Sequence, residues 1–135
     1  MHHTLVNYQK IYEKLGYLFY ALAAADNVVP AREADRLREM VKKIWLPIEH
    51  SKDEFGTDAA YYIDISFEFL LNEGMDAEEA FQEFENYYVD HSAAFSKGIT
   101  EKINSTAKAV AQAFKGKNKK ESAMLKRLNK LLVSR

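Results

Sequence analysis

The spacing of apolar residues does most to limit what this chain can become. Leu5, Tyr8, Ile11, Tyr12, Leu15, Leu18, Phe19 and Leu22 recur three and four apart between Leu5 and Ala25. Such steps gather side chains on one wide stripe of an α-helix. A second stripe, Leu37, Met40, Val41, Ile44 and Trp45, runs between Pro30 and Pro47. Proline suits the first turn of a helix and halts one that reaches it. With only two Pro and five Gly in 135 residues, long helices are favoured over many tight turns.

One segment reads two ways. Tyr61-Tyr62-Ile63-Asp64-Ile65-Ser66-Phe67-Glu68-Phe69 alternates apolar and polar residues, a strand pattern. A lone strand could not satisfy its backbone. Ile63, Phe67, Leu70 and Leu71 also fall at helical spacing, so a helix from Thr57 to Glu73 is predicted, closed by Gly74. Asp76-Ala77-Glu78-Glu79 is a capping box for a fourth helix with Ala80, Phe81, Phe84 and Tyr88 inward. Gly98 separates it from a fifth, striped by Ile99, Ile103, Val110 and Phe114. Asn118 and Glu121 look like the cap of a sixth, with Leu125, Leu128 and Leu132 facing the core. The expectation is one all-α domain over residues 1–135, a bundle of about six helices.

The ends of the chain look like copies. At a constant offset of 88, Ile11 matches Ile99, Leu15 matches Ile103, and Leu22 matches Val110. Glu33 matches Glu121, Leu37 matches Leu125, Met40 matches Leu128 and Ile44 matches Leu132, with no gap. An approximate repeat of the first and last helix pairs is predicted, with an acidic pair inserted between them.

Net charge of −1 conceals segregation. Residues 49–90 hold thirteen acidic side chains and one basic, Lys52; residues 91–135 hold eleven basic and two acidic. Separation of this kind bears on association rather than fold. The basic end includes Lys115, Lys117, Lys119, Lys120, Lys126, Arg127 and Lys130. It is read as a solvated face that can dock an acidic partner, a second copy, or an anionic membrane surface through an amphipathic sixth helix. Nucleic acid is disfavoured, because the chain is slightly acidic overall and carries no recognisable nucleic-acid motif.

Catalysis has no visible constellation. There is no Cys, which excludes thiolate sites and disulfides. No His-Glu-x-x-His, Gly-x-Ser-x-Gly or phosphate-cradling glycine loop occurs. His91 is placed at a helix end, where it meets the dipole. Asp26 and Glu33 are the candidate ligands for a hard cation, Ca²⁺ or Mg²⁺. Two carboxylates make a weak site at most, and both also suit capping roles. A non-catalytic interaction module is therefore expected, with a metal-dependent hydrolase at Asp26 and Glu33 as the alternative. No signal segment or membrane-length apolar run is seen, so a cytoplasmic location is expected.

Ala23-Ala24-Ala25-Asp26-Asn27-Val28-Val29-Pro30-Ala31-Arg32-Glu33 resembles the signature of the TerB-like family of tellurite-resistance proteins. A second, weaker copy runs from Ala113 to Glu121, with Phe114 where an Asp would stand. The resemblance implies an all-helical bundle, acidic loop residues as metal ligands, and a stress-response context shared with a DnaJ-type membrane co-chaperone.

Overall fold

A computed structural model describes residues 8–25, 31–45, 59–113 and 119–133, excluding the side chains of residues 31, 33, 59, 111–113 and 119–121. Six α-helices follow one another: α1 Tyr8–Ala23, α2 Ala31–Trp45, α3 Ala59–Glu73, α4 Ala77–Asp90, α5 Lys97–Ala113 and α6 Lys119–Val133. No strand occurs among the described residues. The all-α expectation holds.

The first helix is the hub. Ile11, Tyr12, Leu15, Gly16, Leu18, Phe19, Tyr20, Ala21 and Leu22 are all buried, while Gln9 and Lys10 are exposed. A helix buried over so wide a face needs several neighbours. Helices α3, α4, α5 and α6 all pack on it, and α2 packs on α3 and α5.

The crossing of α1 and α3 is unusually close, and Gly16 permits it. A methyl carbon at Gly16 would lie 2.6 Å from Ser66 Cβ and 2.9 Å from the Ile63 carbonyl oxygen. Ser66, the small residue opposite, donates its hydroxyl to the Glu13 carbonyl at 2.8 Å. Trp45 ties α2 to α5 with its indole N–H donated to Thr106 Oγ1 at 2.9 Å, and Thr106 in turn donates to the Lys102 carbonyl at 2.7 Å. Both side chains are fully buried, so each polar atom needs this partner.

The turn between α3 and α4 falls where the sequence reading put it, with the Asp76 half of the capping box formed. Gly74 takes a positive φ of 66°, and Met75 N–H bonds back to the Leu70 carbonyl, closing α3 with a Schellman turn. Asp76 then caps α4, its carboxylate accepting from Glu78 and Glu79 N–H. The Tyr20 hydroxyl donates to the Met75 carbonyl at 2.6 Å and fastens this turn to α1.

The boundary between α4 and α5 differs from expectation. Gly98 does not separate α4 from α5; it lies in the first turn of α5, whose cap is Ser96, accepting from Ile99 N–H at 3.2 Å. A short 3-10 turn, Ser92–Ala94, makes the break and delivers Phe95 into the core against Phe84 and Tyr88. His91 ends α4 as expected, its ring stacked on Tyr87 at 4.1 Å.

The repeat holds in length and fails in orientation. Shifted by 88, Ala31–Trp45 lands on Lys119–Val133, the bounds of α6. Ile11, Leu15 and Leu22 are buried, and so are their counterparts Ile99, Ile103 and Val110. In contrast, α2 buries Leu37, Val41 and Trp45, whereas α6 buries Met124, Leu128 and Leu132. The inward face has moved by one residue, a rotation of about 100°. Leu125 is accordingly half-buried, and Met124 holds the core position expected of it.

Candidate interaction surface

The described residues place the anticipated site residues unevenly. Asp26, Lys115 and Lys117 lie outside them. Glu33 is in α2, and Lys119 and Lys120 open α6, with side chains outside the described set. Among the described residues no group of three His, Asp or Glu side chains is arranged to hold a metal ion.

Lys126 and Lys130 are exposed on α6, as a solvated basic face requires. Arg127 is not part of that free face. Its guanidinium reaches Glu78 Oε1 at 2.9 Å, Glu85 Oε1 at 3.1 Å and Gln82 Oε1 at 3.3 Å, and lies 4.3 Å from the Phe81 ring centroid. These hydrogen bonds, with Glu78 first, raise its already high pKa further and keep it charged. Glu78, Gln82 and Glu85 are spaced to share one face of α4. On α6, Met124, Leu128 and Leu132 are buried in the core and Leu125 is half-buried. Among the described residues no helix is long and apolar enough to cross a membrane.

Other charges from outside the acidic segment also reach it. Arg38 on α2 forms a forked pair with Asp64, Nε to Oδ1 at 2.6 Å and Nη2 to Oδ2 at 3.1 Å, and reaches Glu68 at 3.4 Å. Lys14 on α1 meets Glu83 at 3.1 Å. Part of the charge segregation seen in the sequence is thus spent inside the molecule.

What the sequence reading passed over is the outer side of α3. Ala60, Ile63, Phe67 and Leu70 are buried, while Tyr61, Ile65 and Phe69 are 55%, 44% and 52% exposed. The strand-like alternation is therefore two helical stripes interleaved. One stripe serves the core, and the other lines two turns, about 12 Å, of surface. Its signal was available: residues 61, 65 and 69 repeat at steps of four.

Beside this stripe, α1 and α3 enclose an open groove of about 300 Å³ lined by Glu13, Tyr17, Tyr62, Ile65, Ser66 and Phe69. Nearby carboxylates affect the phenols around it. Burial, followed by the charges of Glu83 and Glu13, raises the pKa of Tyr17. Burial and Glu13 do the same for Tyr87. Neither α3 nor α4 contains a Lys or Arg, against eight Asp and Glu. The surface combines large apolar side chains, phenols and the Glu13 carboxylate. No family model, curated protein or solved structure matches this chain.

Proposed function

We propose that this chain is a non-catalytic interaction module that receives a basic protein segment on the outer side of α3. The exposed stripe of Tyr61, Ile65 and Phe69 carries the reading. Scattered exposed apolar residues need no explanation, but an aligned set beside a groove marks a contact surface. On the Lys- and Arg-free helices α3 and α4, Glu73, Glu79 and Asp90 stand outside the ion pairs formed among the described residues. This remaining negative charge favours a cationic partner, and complementary charge speeds encounter and selects against wrong partners.

A pair of affinity captures tests this, one with the wild type and one with Phe69→Glu, each across a range of ionic strength. A partner retained by the wild type at low salt should be lost from the variant and weakened by salt. Retention that ignores both changes would count against the surface.

The resemblance to the TerB-like family supplies a stress-response context and the suggestion of a weak divalent-cation loop at Asp26 and Glu33. Calorimetric titration with Ca²⁺, Mg²⁺ and Mn²⁺ on the wild type and Asp26→Ala tests that loop. Equal heats in the two proteins would leave only the capping roles.

A further inference from the structure

We propose that the groove between α1 and α3 is a recognition site for one cationic side chain, a lysine ammonium or arginine guanidinium, presented by a basic partner segment. The proposal rests on the reading of the chain as an interaction module and names what that module recognises.

The chemistry comes from the lining. Tyr17, Tyr62 and Phe69 surround the groove. Among the described residues these three rings make no ring contact with one another; Tyr62 meets Tyr61 instead, at 5.3 Å. The space between them is not closed by their own stacking. Each aromatic face carries the negative side of a quadrupole, which attracts a cation placed over it. Tyr17 already makes a contact of this kind, with Lys14 Nζ 4.6 Å from its ring centroid. Lys14 is drawn toward α4 by Glu83 and does not line the groove.

Glu13 supplies the negative charge. Its side chain is 41% exposed, and its carboxylate has Lys10 Nζ at 3.8 Å. A long pair between exposed side chains is worth little, so an incoming cation can replace it at small cost. At the floor, the Ser66 hydroxyl proton is committed to the Glu13 carbonyl at 2.8 Å. Its oxygen lone pairs are what remain for a ligand, and these accept rather than donate.

Size and surroundings agree. A groove of about 300 Å³ stands at the small end for ligand sites and suits one side-chain head. Lysine and arginine carry apolar stems that need cover when the head is bound. Ile65 and Phe69, both exposed at the groove edge, provide it. Five of the eight carboxylates on α3 and α4 are held by Arg38, Arg127 and Lys14, and Glu73, Glu79 and Asp90 remain to draw cations toward these helices before contact.

The test is an NMR titration of the full ¹⁵N-labelled chain with two synthetic amphipathic helical peptides. Both carry leucines and lysines at helical spacing, and they differ only in one central lysine replaced by norleucine. The lysine peptide should shift the amides of Glu13, Tyr17, Tyr62 and Phe69 and bind about tenfold more tightly, the size of a partly desolvated cation–π contact. Glu13→Gln and Phe69→Ala should each reduce that preference while leaving the thermal midpoint near the wild-type value. Equal binding of both peptides at the groove would overturn the cation site and leave the interaction module standing. Shifts confined to other surfaces, or no binding by either peptide, would overturn both.

Discussion

Helices α1 and α3 both carry more apolar side chains than a one-sided surface helix needs, and the two spend them differently. In α1 the excess is buried, because four other helices surround it. In α3 only one stripe faces inward, and Tyr61, Ile65 and Phe69 remain at the surface. Enclosure explains most of the first excess, with Tyr17 left at the groove. It explains half of the second, and the rest is surface available to a partner. Two neighbours at the same crossing thus have separate duties, one mainly architectural and one divided between the core and recognition.

The largest test of this division is truncation on the inner stripe. Phe67→Ala should cost about 3–5 kcal/mol in denaturant unfolding, the usual loss for a buried aromatic. A cost under 1 kcal/mol would mean that the inward stripe is not the stabilising one.

Next is the crossing itself. Gly16→Ala puts a methyl group against the Ile63 carbonyl oxygen and Ser66, and backbone cannot yield as a flexible side chain can. A loss of about 1–3 kcal/mol is expected from overpacking. The double variant with Ser66→Gly should recover part of it, since Ser66 Cβ is the nearest atom to the added methyl. No recovery would assign the strain to the Ile63 carbonyl alone.

The tie between α1 and the end of α3 has a pH signature. Burial, then the charge of Asp76, raises the pKa of Tyr20 above its ordinary 10.0. Its contribution is fully present below the unfolded value of about 10 and is lost as pH climbs through the higher folded value. Stability should therefore fall above pH 10, and less steeply in Tyr20→Phe. Parallel curves for the two proteins would remove Tyr20 as a cause.

The smallest expected effect is the most informative about function. Phe69→Ala should change stability by no more than about 0.5 kcal/mol, as for ordinary surface positions. Paired with the loss in Phe67→Ala, two residues away, it separates the two stripes. A large cost at Phe69 would return the outer stripe to the architecture and weaken the case for a partner.

The fold was legible where its causes are local. Apolar steps of three and four define helices whatever they pack against. Gly74 and Asp76 mark the α3–α4 turn because a positive φ and a capping carboxylate are properties of single residues. The spacing of the two end pairs was also legible, since α2 shifted by 88 coincides with α6. Which face of α6 turns inward was not. Leu125 and Met124 are adjacent and both apolar, and the choice depends on where α5 and α1 stand.

The same distinction separates the charges and the candidate site. The sequence determined that carboxylates crowd the middle of the chain and cations its end. Only the tertiary structure decided that Arg127 is committed to Glu78 and Glu85, because those partners are far apart in sequence and meet only when α6 packs near α4. Likewise, the sequence determined that residues 61–69 carry an excess of apolar side chains. That one stripe is covered while the other borders an aromatic groove follows from the docking of α1, close enough at Gly16 to bring Glu13 and Tyr17 beside Tyr62 and Phe69. Periodicity orders side chains around one helix axis, and it takes a second helix to make some of them a core and the others a surface.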